Sequence, residues 1–344
     1  MEELSLRKPG LAKRQPVAVS PADLVSAAPL RPDTLLPLVI RPSMKGIDLA
    51  DWARSNQQFI ETHLCKHGAI LFRGFPLHMV SDFERFIRAV STELLEYQER
   101  SSPRHQVSGN IYTSTDYPAD QSIFFHNENS YQQLWPRKLF FFCVVPAQRG
   151  GQTPIADVRR VYAAIDPEIR QRFIERKWML VRNFDGKLGL SWQTVFQTTE
   201  KSDVEVYCRQ AGIEVEWKEG GGLRTRVVRP AVATHPITGE LLWFNHLTFF
   251  HVSTLDPATS TALVAGMAEA DLPSNTFYGD GAPIEPEVLE HLRAVYRQHA
   301  VLFDWQQGDI LLLDNMLTAH AREPFAGARQ IVVGIADPFI RQED

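Results

Sequence analysis

The uninterrupted apolar run Leu139-Phe140-Phe141-Phe142-Cys143-Val144-Val145 constrains the fold more than any other stretch. It has strand length and no polar alternation, which is the pattern of a strand buried on both faces. Short strand signals then accumulate toward the C-terminus: Glu240–Phe244, Ala300–Phe303, Asp309–Leu313 and Gln330–Ala336. Helical signals flank them. Ile47–His67 reads as a helix ending at Gly68, a glycine C-cap. A second helix follows with Ser81 and Glu84 as a capping box and Phe83, Phe86, Ile87, Val90 and Leu94 in helical period. Asp157 and Asp166-Pro167 start two more, and Glu285-Pro286 opens the last. Strands with helices around them give an α+β chain, and a jelly roll with helical cover fits the pattern.

Composition sets the limits. The 344 residues are 44% hydrophobic and 22% charged, an ordinary globular balance, and seven Trp and twenty Phe can fill a sizeable core. A net charge of -5 offers no basic field, so nucleic acid is not an expected partner. No apolar run approaches the roughly 20 residues of a membrane span. Basic residues near the start are followed by no apolar segment, so no secretory signal is read there. Cys65, Cys143 and Cys208 are odd in number and widely spaced, which fits a reducing cytoplasm and neither a zinc pattern nor a disulfide framework. Residues 1 to about 35, rich in Pro, read as an extended arm. Residues 36–344 read as one domain, with a long polar stretch at about 180–225 of the kind that forms a lid or binding insertion.

The chemistry centres on His126-Asn127-Glu128. In a strand, residues two apart face the same side, so both side chains can reach one point. An imidazole and a carboxylate are two thirds of the facial triad that holds non-heme Fe(II). By itself the pair is also what a solvated surface produces. The second histidine that would complete the triad is His320, after Leu311-Leu312-Leu313-Asp314-Asn315. A 2-oxo acid bound at such an iron needs a cation for its distal carboxylate and a hydroxyl beside it. Arg329 supplies a guanidinium fork, and Thr153, just after Gly150-Gly151, supplies the hydroxyl.

Several stretches together resemble the TauD/TfdA family of Fe(II)/2-oxoglutarate oxygenases, and within it the SyrP-like natural-product hydroxylases. They are Phe72-Arg73-Gly74-Phe75, Tyr112-Thr113-Ser114-Thr115, His126-Asn127-Glu128-Asn129-Ser130-Tyr131, Gly150-Gly151-Gln152-Thr153-Pro154, Trp243-Phe244-Asn245, Gly279-Asp280-Gly281, Leu313-Asp314-Asn315 and His320-Ala321-Arg322-Glu323-Pro324-Phe325 up to Arg329. The resemblance covers roughly residues 37–340. It implies a double-stranded β-helix core, His126, Glu128 and His320 as iron ligands, and Thr153 with Arg329 on 2-oxoglutarate. It also implies use of O2, release of succinate and hydroxylation of an unactivated C–H.

The sequence departs from the family in places. Glu128 stands where most members carry Asp. It still provides a ligand, as in the clavaminate synthase group, and it argues against a halogenase. The interval from His320 to Arg329 is short and Gln330 follows, so Arg322 rivals Arg329 for the 2-oxoglutarate contact. Val333 stands where the taurine enzymes carry an arginine for the sulfonate. Ser114, Thr115, Asp116, Asn245 and Arg224 are the substrate contacts considered; solvated strand-edge charge is the other reading of Arg224 and Arg226. The resemblance also allows Asn245 and His246 near the site. His235 and His251 are expected to be structural, Asp309 a turn residue, and Asp314 the partner that orients a ligand.

The expected activity is hydroxylation of an aliphatic carbon of an amino acid, free or carried as a thioester on a peptidyl carrier protein. Desaturation or epoxidation can use the same iron. A Zn(II) hydrolase at the same ligands and a non-catalytic jelly-roll binding protein are the readings of another class.

Overall fold

The computed structural model describes residues 24–95, 106–113, 117–186 and 188–341. The apolar run lies in the long strand Leu134–Val145, which pairs antiparallel with both Ile310–Asp314 and Gln330–Ile340. These three strands are the middle of an eight-stranded sheet. Alternation along the run explains why it contains no polar residue. Phe140 and Phe142, with Ile310 and Leu312, point to one side. There they meet Trp52, Ile60, Leu64, Phe83 and Phe86 of the helices Leu49–Ser55, Gln57–His67 and Val80–Val90. Leu139, Phe141 and Cys143, with Leu311 and Leu313, point to the other.

That second face looks onto a smaller sheet of Ala300–Val301, Ile155–Asp157, Thr318–Arg322 and Ile123–His126, in that order. The two sheets form the double-stranded β-helix, or jelly roll, and the α+β class is as expected. A further sheet of Glu214–Trp217, Leu223–Arg229, Trp178–Phe184 and Ser274–Tyr278 packs with helices over the open side. The stretch 180–225 is therefore largely regular: Trp178–Phe184 ends in it, Glu214–Trp217 lies within it, Leu223–Arg229 begins in it, and Trp192–Phe196 and Lys201–Gln210 are helices. Many of its polar residues lie at the surface, Arg182, Asn183 and Thr225 are buried, and Phe184, Trp192, Val204 and Leu223 enter the core.

Three local expectations are corrected. The helix read over Ile47–His67 is two helices, broken at Asn56, whose side chain donates to Trp52 O at 2.7 Å in place of continuing the helical ladder. Gly68 does close the second, in the left-handed conformation at φ 74°. The next helix is capped by Asp82, not by Ser81: its carboxylate accepts the His78 and Met79 N–H groups, each at 3.1 Å. An ionised acceptor satisfies orphan N–H groups better than a hydroxyl, and Glu84 is drawn instead to Arg88 one turn on. Finally, Val25–Pro29, inside the presumed arm, is an edge strand on Leu38–Pro42.

Candidate metal centre

His126 ends its strand, and His320 lies in the middle of the neighbouring one. The two are directly paired across the small sheet, so register alone brings them together. Their ring centroids are 4.2 Å apart. The Nδ1–H of His126 donates to Phe124 O at 2.9 Å. A carbonyl only accepts, so the proton sits on Nδ1 and Nε2 carries the lone pair a metal requires.

Glu128 arrives by a different route from the one the His-x-Glu spacing suggests. The strand stops at His126 and the chain turns, with Asn129 at φ 57°. Asn315 fixes the turn. Its Oδ1 accepts the Glu128 N–H at 2.8 Å, and its Nδ2 donates to Glu128 O at 2.9 Å and Pro136 O at 2.8 Å. Asn127 Nδ2 returns a hydrogen bond to Asn315 O at 2.7 Å. The orienting role expected of Asp314 thus belongs to its neighbour. Asp314 instead accepts the Met316 and Leu317 N–H groups and pairs with His235 at 3.1 Å. It shapes the turn into the His320 strand. The Asp-Asn doublet between two strands was the only signal for Asn315.

One donor atom from each of His126, Glu128 and His320 lies within 4.8 Å of the others, and all three side chains are buried. Glu128 Oε2 and His320 Nε2 are 3.8 Å apart. Ligand bonds of roughly 2.0–2.2 Å put two donors at most about 4.4 Å apart across one ion, and the Glu128–His320 separation lies inside that reach. Two imidazoles and a carboxylate are the donor set of the Fe(II) facial triad, and the residues fit that ion.

The pocket beside the donors lies between the two sheets and includes Thr153, Arg322, Arg329 and Val333. Thr153 Oγ1 accepts from Trp305 Nε1 at 3.1 Å, which leaves the hydroxyl proton to donate. Arg329 Nε donates to Gly151 O at 2.9 Å. Gly151 sits at φ 71°, and a Cβ there would come within 3.0 Å of the Arg329 Cδ and Nε, so the position excludes other side chains. Burial, with Arg322 nearby, pulls the Arg329 pKa down to about 10. The guanidinium remains charged at neutral pH, and an anion would relieve its desolvation. Arg322, the rival, commits its fork to backbone: Nη1 to Tyr117 O, and Nη2 to Pro118 O and Gln121 O, at 2.6–3.0 Å.

The remaining positions divide. His246 packs 5.3 Å from the His126 ring and meets Ser130 Oγ at 2.7 Å; burial holds it well below the usual histidine pKa and therefore neutral. Asn245 is a structural residue, donating to Ala231 O and accepting the Leu247 N–H. Arg224 is held by Asn183 and Asp271 in the outer sheet and does not line the pocket. Ser114, Thr115 and Asp116 lie outside the described residues. His251 caps Ser253, and Asp309 holds a turn through Gln306 N–H while pairing with buried Arg73. The Cys143 thiol is pushed up to about 12 by burial, an inert small side chain.

Known proteins agree with this geometry. The family model described as taurine catabolism dioxygenase TauD, TfdA family, matches residues 27–336. The dapdiamide synthesis protein DdaC of Enterobacter agglomerans is 41% identical over 279 residues, spanning 81% of this chain and 85% of the relative. A clavaminate synthase-like protein of Arabidopsis thaliana is 29% identical over 292 residues, with 82% and 85% covered. In fold, the PvcB protein of Pseudomonas aeruginosa superposes with a TM-score of 0.56 at 16% identity, over 95% of this chain and 94% of that one. No helix among the described residues is long and apolar enough to cross a membrane. A jelly roll that carries two histidines and a glutamate on one buried point, matched to the family over nearly its whole length, belongs to the TauD/TfdA family of Fe(II)/2-oxoglutarate-dependent dioxygenases.

Proposed function

We propose that the protein hydroxylates an aliphatic C–H of an amino acid or of an aminoacyl group tethered to a peptidyl carrier protein, in natural-product biosynthesis. The observation that carries the reading is the convergence of His126, Glu128 and His320 beside a pocket holding Thr153 and Arg329. Support for the pathway class comes from the relatives: one is described as a dapdiamide synthesis protein and another as pentalenolactone F synthase of Streptomyces arenae.

With Fe(II), 2-oxoglutarate and O2 bound, the centre supplies the net reaction R–H + O2 + 2-oxoglutarate → R–OH + succinate + CO2. The chain's own residues do the rest. Arg329 and the Thr153 hydroxyl hold the distal carboxylate of 2-oxoglutarate, and Arg322 anchors the loop 117–121 that borders it. Val333 leaves an apolar wall in this pocket, which suits no sulfonate. Phe141 and Phe249, 5.1 and 4.7 Å from the ligand rings, exclude water from the donors.

The test is succinate formation coupled to substrate loss, with product mass rising by one oxygen; loss of two hydrogens would instead mark desaturation. His126→Ala should reduce both rates below detection, and a His126→Ala enzyme at full activity would end the proposal.

A further inference from the structure

A second cavity, of about 200 Å³, adjoins the metal pocket, and Ile123 lines both. Its inner wall is Phe249, whose ring lies 4.7 Å from that of His126. Phe124 and Phe250 add two more rings, and Val252 and Leu255 extend the apolar surface. The polar residues of the lining are Tyr117, Ser122, His251, Thr254 and Ser274. Among the described residues, its lining holds no carboxylate, ammonium or guanidinium. Arg293, on the helix behind, is turned to Ser253 Oγ and Thr254 Oγ1 at 3.2 and 3.1 Å and braces the wall. His251 Nδ1 accepts the Ser253 N–H at 3.2 Å, which puts its proton on Nε2. Burial, with Arg293 nearby, lowers its pKa to about 4, so the ring is a neutral donor at physiological pH.

We propose that this cavity seats the non-reacting body of the substrate, and that this body is an aryl or alkyl acyl group whose carboxyl is masked as an amide, ester or thioester. The inference rests on the oxygenase reading above and narrows its substrate. The rings offer dispersion and edge contacts to an apolar group. Among the described lining residues a free carboxylate would lose its water without gaining a charged partner, whereas a neutral carbonyl is matched by a single donor such as the Nε2–H of His251. Because Phe249 touches both cavity and ligand, an occupant rests beside the face where oxidation takes place.

The test is anaerobic titration of the Fe(II)–2-oxoglutarate protein with 3-phenylpropanamide and with 3-phenylpropanoate. Calorimetry and the visible charge-transfer band follow binding. The amide should bind at least about tenfold tighter than the carboxylate. Leu255→Asp, at the half-buried edge of the cavity, should weaken the amide by about tenfold, and Phe249→Ala, the second variant, should also weaken it. Persistence of the 2-oxoglutarate band reports that each variant is folded. The inference falls if the carboxylate binds as well as the amide, if the amide fails to bind at millimolar concentration, or if both variants bind it as the parent does. Failure of 2-oxoglutarate alone to produce the band would overturn the oxygenase reading, and the inference with it.

Discussion

The two walls of the active site are built differently. On the metal side, donors hang from paired strands of the small sheet, and the glutamate is held by an asparagine whose polar atoms are all engaged. On the second-cavity side, strand residues Ile123, Phe124 and Ser274 are joined by the four-residue helix Leu247–Phe250, a 3₁₀ turn over Val252–Thr254 and the loop 117–122. Sheet register cannot slip without turning every core residue outward, whereas loops accept substitution and insertion at little cost. The molecule thus keeps its metal donors on rigid backbone, while the adjoining cavity is walled in part by segments that sequence change can reshape.

The largest expected effect lies on the metal side. Asn315→Ala removes the hydrogen bonds that hold the Glu128 N–H and carbonyl and should lower Fe(II) affinity by about 10–100-fold, measured by anaerobic metal titration. If Asn315→Ala binds iron like the parent while Leu255→Asp loses it, the division between rigid and adaptable walls is wrong. Next is Arg329→Lys, which replaces a planar fork by a point charge. It should raise the KM for 2-oxoglutarate roughly 30-fold, about 2 kcal/mol, with Fe(II) affinity unchanged. Equal loss in Arg322→Lys would reassign the anchor.

The smallest effect is on the loop side. His251 has its pKa lowered to about 4 from 6.5, mainly by burial. The unfolded chain therefore takes up a proton through pH 6.5 that the folded protein refuses until about pH 4. Stability contributed by the neutral ring is complete above pH 6.5 and is lost as pH falls through that window. The loss by pH 5.5 should be on the order of 1–2 kcal/mol. Melting curves of the parent and His251→Gln from pH 7.5 to 4.5 check it; the variant should lose less. Parallel curves would show that His251 is not the group responsible.

Much of the metal centre is legible in the sequence. The Leu139–Val145 run announces a doubly covered strand, and residue chemistry and motif likeness single out His126, Glu128 and His320, which converge. The misses share a cause. The Ile47–His67 break depends on one side chain choosing a carbonyl, and the Asp82 cap on a carboxylate prevailing over a nearby hydroxyl. Arg224 read as a free charge because its partners Asn183 and Asp271 are distant in sequence.

The sequence by itself determined which groups can ligate a metal, since donor type, charge and periodicity are local properties of residues. Tertiary structure decided which groups meet. Cross-strand register paired His126 with His320, a buried asparagine turned Glu128 toward them, and a short helix laid Phe249 against the metal face. Each of these is a contact between residues far apart along the chain, fixed only when the two sheets close on a common core.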